Sequence, residues 1–232
     1  MTFAQRAKAF NRSLHLEQVL PNHIQAMNPF AEQGSKALLF SDIFYDKFYG
    51  DRRKRKLILG INPGRFGGGI TGVPFTDFKR MRNKCGIDTL GETSHEPSSE
   101  FVYAMIEALG TVAAFYSRFY INSLCPLGFI IEKPGGKWVN YNYYDDAALY
   151  QAVKPFMIDS IRRMIDLGAY TDECFCLGVK NALYFRDINK EYGFFDKITE
   201  LPHPRFIVQY KRKEMDKYIQ EYKDKLEGGS MV

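Results

Sequence analysis

Five apolar residues in a row, Leu57 to Ile61, run straight into Asn62-Pro63-Gly64 and then a loop rich in glycine. A strand with no polar residue on either face must be covered on both, and the usual solution is a parallel sheet held between two layers of helices. The remainder of the chain fits such a sheet. Strand-like runs lie at 118–122, 173–179 and 197–202, and helical patterns lie at 76–84, from Ser99 or Glu100 to Tyr116, at 145–167, at 181–191 and at 209–226. This alternation predicts an α/β fold of three layers, with a central, mostly parallel four-stranded sheet flanked by helices. Ahead of it, about residues 1–40 form a helical arm, whose first helix over 2–28 ends near Asn28-Pro29 because a residue before proline avoids the helical region. Phe40 to Tyr49 form the next helix. A length of 232 residues with 45% hydrophobic content supplies one sizeable core and no linker interrupts it, so 1–232 reads as a single domain.

The carboxyl ends of parallel strands share one edge, and open α/β sheets bind their ligands there. Asn62, Asn122 and His203 each fall at such an end, so residues distant in the chain converge on one crevice. Gly64, Gly67, Gly68, Gly69 and Gly72 let a ligand come close to the backbone, and Phe75 offers a flat apolar face to a planar ring. Taken singly, each of these residues is also an ordinary turn or core residue. Lys180 and Asn181 follow the third strand and read as a helix start. Residues 133–144, with Pro-Gly-Gly and the only tryptophan, read as a hairpin-like excursion whose aromatics form a satellite cluster. The basic run Arg52 to Lys56 enters the first strand at its amino end, away from the crevice, and reads as a solvated lead-in.

A net charge of +5 is compatible with a polyanionic partner without demanding one. No apolar run reaches the length of a membrane span, and the amino terminus is amphipathic rather than a signal peptide, so the expected compartment is the cytosol. Cys85, Cys125, Cys174 and Cys176 lack metal-binding spacing, and the histidines are dispersed. No metal and no cofactor are expected.

Gly60-Ile61-Asn62-Pro63-Gly64-Arg65-Phe66-Gly67 and Thr71-Gly72-Val73-Pro74-Phe75 resemble, without a gap between the halves, the first motif of the uracil-DNA glycosylase superfamily in its single-strand-selective monofunctional (SMUG) form. Ile121 to Leu127 resembles that family's Asn-Leu-Cys-Pro-Leu segment, with one residue inserted between Asn122 and Cys125. Leu201-Pro202-His203-Pro204-Arg205 resembles the start of its second motif but lacks the Ser-Pro that follows His-Pro there. This points to a bacterial side branch with a shorter loop beyond His203.

The resemblance implies a monofunctional DNA glycosylase that hydrolyses the bond between sugar and uracil and leaves an abasic site. It assigns Asn62 to positioning the hydrolytic water and His203 to donating a hydrogen bond to uracil O2. It assigns Phe75 to stacking on the extruded base, Asn122 to reading the base's pairing edge, and the backbone at Ile61 to a uracil oxygen or a phosphate. Gly64 stands where related enzymes carry a tyrosine against uracil C5, which implies room for 5-hydroxymethyluracil and for xanthine. Arg205 and Phe206 are expected at the DNA-facing edge. Lys211 and Arg212 either meet phosphates or form the first turn of a solvated helix. The partner is DNA and the protein a monomer. The alternative is a catalytically silent nucleic-acid or nucleotide binding module on the same fold, though the loop lacks the Gly-Lys-Ser/Thr ending of a phosphate-binding P-loop.

Overall fold

Leu57 to Gly60 of the apolar run lie in one of the two inner strands of a parallel sheet in the computed structural model, which describes residues 1–21 and 23–228. Asn22 of the arm and the last four residues of the expected domain lie outside the described residues. In chain order the elements are α1 (Phe3–Arg12), β1 (Ile24–Met27), α2 (Lys36–Phe48), β2 (Arg55–Gly60), α3 (Gly68–Thr71), α4 (Phe78–Asn83), α5 (Pro97–Ala108) and α6 (Val112–Arg118). There follow β3 (Phe119–Ser123), β4 (Gly128–Lys133), β5 (Lys137–Tyr141), α7 (Ala147–Asp166), β6 (Ala169–Leu177), α8 (Val179–Tyr192), β7 (Lys197–Leu201), α9 (Pro204–Tyr210) and α10 (Met215–Gly228). The central sheet has the order β3-β2-β6-β7 and every pairing in it is parallel. Leu57, Ile58 and Leu59 are almost wholly buried, as a doubly covered strand requires. The buried apolar residues form one contiguous cluster from Phe3 in α1 to Leu226 in α10. Among the described residues no helix is long and apolar enough to cross a membrane.

Four local expectations change. The amino-terminal helix stops at Arg12, and Ile24–Met27 instead pairs antiparallel with β4, which also pairs with β5. The hairpin thus belongs to a second sheet, β1-β4-β5, that local periodicity could not reveal because its partners lie about a hundred residues apart. The long helix expected up to Tyr116 is two, divided at Gly110, whose φ of +122° no helix accommodates. Its start is Pro97 in the first turn, not a serine cap. The carboxyl-terminal helix expected at 209–226 is also divided, because the chain leaves the helical conformation at Lys211, which ends α9, and α10 begins only at Met215.

Arg55 overturns the solvated reading of the basic run at its own position. It is fully buried, with its guanidinium 4.6 Å from the Phe3 ring centroid and 4.7 Å from that of Tyr49. Its Nε donates to the Tyr116 carbonyl at 2.8 Å, and its two terminal nitrogens grip the Asp51 carboxylate. A guanidinium buried this way has its charge compensated by a carboxylate and by two ring faces. It ties α1 and the end of α6 to β2, so the run serves the fold at this residue.

Candidate active site

Because the four strands run parallel, their carboxyl ends lie along one edge, where a cavity of about 590 Å³ opens. That volume falls within the range of small-molecule sites. Asn62, Phe75 and His203 line it together, with Ile61 and Gly64.

Asn62 is fixed from the second sheet. Its Nδ2 donates to the Tyr141 carbonyl at 3.1 Å, and its Oδ1 accepts from the Tyr143 backbone N–H at 3.2 Å. An amide oxygen has two lone pairs and an amide nitrogen two hydrogens, so each end retains one hydrogen-bonding position for a water or substrate. Asn140, on the same hairpin, accepts from the Arg65 N–H at 3.2 Å and pins the glycine-rich loop. Behind them Tyr143 donates its hydroxyl to Asn181 Oδ1 at 2.7 Å. Asn181 Nδ2 in turn donates to the carbonyls of Gly60 and Leu177, at the ends of β2 and β6. The excursion expected as a satellite cluster therefore holds the site, and Asn181 joins it to the sheet.

Phe75 sits at a φ of +53° with its ring laid over Gly60. A β-carbon on Gly60 would come within 2.8 Å of that ring, so only glycine permits the seat. The Phe75 and His203 ring centroids are 6.0 Å apart. His203 caps α9, its Nδ1 accepting from the Arg205 N–H at 3.1 Å. Burial, with the nearby Arg205 cation, lowers its pKa from 6.5 to about 4. The ring is neutral at pH 7, and with Nδ1 accepting, the proton resides on Nε2.

Asn122 does not reach the cavity. It is buried, its Nδ2 donates to the Tyr120 hydroxyl and its Oδ1 accepts from the Ser123 N–H, both at 2.7 Å. Ser123 lines the cavity instead. Successive residues of a strand face opposite ways, so one step of register decides which side chain points in. Read without an insertion, Ser123-Leu124-Cys125-Pro126-Leu127 matches that segment at four of its five residues, with Ser123 in place of the asparagine.

Glu96 is a wall residue that sequence reasoning missed. Its backbone N–H donates to Asp77 Oδ2 at 2.8 Å, and the fully buried Asp77 also accepts from Arg80 and from the Ser99 hydroxyl. The Glu96 carboxyl lies on Gly67, where a β-carbon would stand 2.0 Å from Oε2. Oε2 is buried without a hydrogen-bond partner. Burial first and the Asp77 charge second raise the Glu96 pKa to about 7, against the opposing pull of Arg205 and Arg80.

Arg205 and Phe206 line the cavity and are exposed, as is Tyr210 beside Phe206, with ring centroids 5.7 Å apart. Lys211 and Arg212 do not line it. Lys211 pairs with Glu214 at 3.0 Å, and Arg212 pairs with Glu100 on α5. Lys180 reaches the rim with its ammonium 4.5 Å from the Tyr144 ring centroid. The four cysteines are buried free thiols.

The family profile described as the uracil DNA glycosylase superfamily matches residues 47–227. No curated protein matches the sequence. Among solved structures, that of wild-type Pedobacter heparinus SMUG2 superposes with a TM-score of 0.95 at 49% identity, covering 98% of each chain.

Proposed function

This chain belongs to the uracil-DNA glycosylase superfamily, in its SMUG branch, and on that premise we propose that its cavity receives a damaged base extruded from DNA and hydrolyses its bond to deoxyribose. The base leaves as an anion while the sugar becomes cationic, so the site must stabilise negative charge at the base and present water at the sugar carbon. His203 supplies the first, its neutral Nε2–H donating to the pyrimidine O2. Asn62 supplies the second, using the hydrogen-bonding positions its contacts to Tyr141 and Tyr143 leave free. A neutral amide is a weak base, so rate acceleration comes chiefly from leaving-group stabilisation in a preorganised site. Phe75 stacks on the base.

Ser123, in place of Asn122, faces the base's pairing edge. A hydroxyl both donates and accepts and imposes no fixed order of the two, whereas an amide does. Uracil, 5-hydroxymethyluracil and xanthine are the substrates this reading admits, with thymine disfavoured. Arg205, Phe206 and Tyr210 stand at the mouth, where an aromatic side chain fills the gap an extruded base leaves. In keeping with the family resemblance, the enzyme acts as a monofunctional glycosylase and leaves an abasic site without cutting the strand. It acts as a cytosolic monomer.

One observation carries this reading: an amide and a neutral imidazole from two different strand ends share a single cavity with a base-sized aromatic face. The test is excision from labelled oligonucleotides carrying each base, followed by alkali. Uracil excision is expected, and replacing His203 by alanine slows it by roughly 10²–10³, the loss typical of one such donor. Absence of scission on every lesion, with DNA still bound, would establish the silent binding module instead.

A further inference from the structure

The geometry points to Glu96 as the residue that reads a polar substituent on the far edge of the bound base, so that the cavity favours bases carrying a hydroxyl or carbonyl there over those carrying a methyl. This rests on the glycosylase reading above. In a six-membered pyrimidine ring, C5 lies diametrically opposite C2, so a base whose O2 meets His203 turns C5 and its substituent to the other wall. The wall built on the Asn62 loop includes Gly64, Gly68, Asn140 and the Glu96 carboxyl, whose Oε1 is 3.9 Å from where a β-carbon of Gly64 would stand. Gly64 and Gly68 contribute no side chains, so the polar side-chain atoms on this wall are Asn140 Nδ2, 3.4 Å from the same position, and the Glu96 carboxyl, which supplies the acceptor oxygens.

Two features separate Glu96 from an ordinary structural carboxylate. Its Oε2 is buried and unpartnered, although Arg205 and Arg80 lie within electrostatic reach. Among the described residues it is one of five buried side-chain polar atoms without a partner, and the one among them that belongs to a residue lining the cavity, which makes it an acceptor open to a ligand. It is also held on purpose: Asp77 anchors its backbone, and Gly67 is a residue whose β-carbon the carboxyl would not allow. Around neutral pH the carboxyl is partly protonated and offers both an O–H donor and a C=O acceptor, matching a hydroxymethyl group or the carbonyl and imide edge of a larger base. A methyl set against it leaves the oxygen unsatisfied and dehydrated.

Glu96 is thus a specificity-determining residue, and its signature is a ratio. Single-turnover rate constants on 5-hydroxymethyluracil and uracil, in otherwise identical oligonucleotides, are compared for the wild type, Glu96→Gln and Glu96→Leu. Gln keeps a donor and an acceptor and is expected to hold the ratio within about threefold. Leu removes both and lowers the ratio about tenfold, the effect of one lost hydrogen bond. A ratio unchanged in Glu96→Leu, or equally lowered in both variants, overturns the assignment. If Glu96→Leu shows no cooperative thermal transition, Glu96→Ala is read by the same ratio. Failure of the wild type to excise uracil would overturn the glycosylase reading itself, whereas uracil excision with an invariant ratio overturns only the role of Glu96.

Discussion

Replacing His203 by glutamine should flatten part of the protein's acid sensitivity. In the folded protein the imidazole is neutral down to about pH 4, whereas in the unfolded chain it takes up a proton near 6.5. Between those values the unfolded state binds more protons than the folded one, so stability rises with pH across the window and is lost as pH falls through it. At about 1.4 kcal/mol per pH unit, the interval corresponds to about 3 kcal/mol, fully present above pH 6.5 and gone below the folded value. For a chain of this length that is roughly 6–12 °C in melting temperature. The assay is thermal unfolding of wild type and His203→Gln from pH 7.5 to 4.0. Carboxylates titrate in both proteins, so the difference between the two curves isolates the imidazole. The wild type should lose about 3 kcal/mol more than the variant over this range. Parallel curves would mean that the ring is solvated in the folded state and charged near pH 6, and the argument that it presents a neutral Nε2–H to a leaving base would fall with them.

Other outcomes follow from the same packing. Glu96 titrates in the opposite sense: its folded pKa of about 7 exceeds its unfolded value of 4.5, so folding is penalised as pH rises through that interval. Glu96→Gln should therefore gain on the order of 2–3 kcal/mol relative to wild type at pH 8 and little at pH 4.5, as urea unfolding at both pH values would measure. Asn181→Ala strips the donor from the Gly60 and Leu177 carbonyls and the acceptor from the Tyr143 hydroxyl, which should lower stability by roughly 2–4 kcal/mol and slow uracil excision through a loosened Asn62. Retention of full excision by a folded Asn181→Ala protein would show that Tyr143 keeps its place without it. Arg55→Met keeps most of the volume but loses the bonds to Tyr116 and Asp51 and the contact with two rings, and calorimetry should register a loss on the order of 3 kcal/mol.

Much of the site was legible because it is local. An apolar strand followed by Asn62 and a glycine-rich loop is a contiguous signal, and the residues at strand ends must meet at one edge once the strands are parallel. The same holds for His203, which follows β7 by two residues and caps the helix that begins at Pro204. Asn122 marks the limit. Both it and Ser123 belong to β3, and the choice of which faces the cavity depends on the register against β2, where Leu59 is opposite Asn122 and Gly60 opposite Ser123.

The amino-acid sequence by itself determined the layered α/β class, the parallel central sheet and the placement of Asn62, Phe75 and His203 at one edge of it, since each of these rests on a pattern a few residues long. Only the tertiary structure decided what holds and surrounds that chemistry: the second sheet that fixes Asn62, the Asn181 link, the burial of Arg55 and the unpartnered carboxyl of Glu96. Those depend on contacts between segments dozens to more than a hundred residues apart. Burial and pKa are properties of such packed surroundings, not of the residue that carries them.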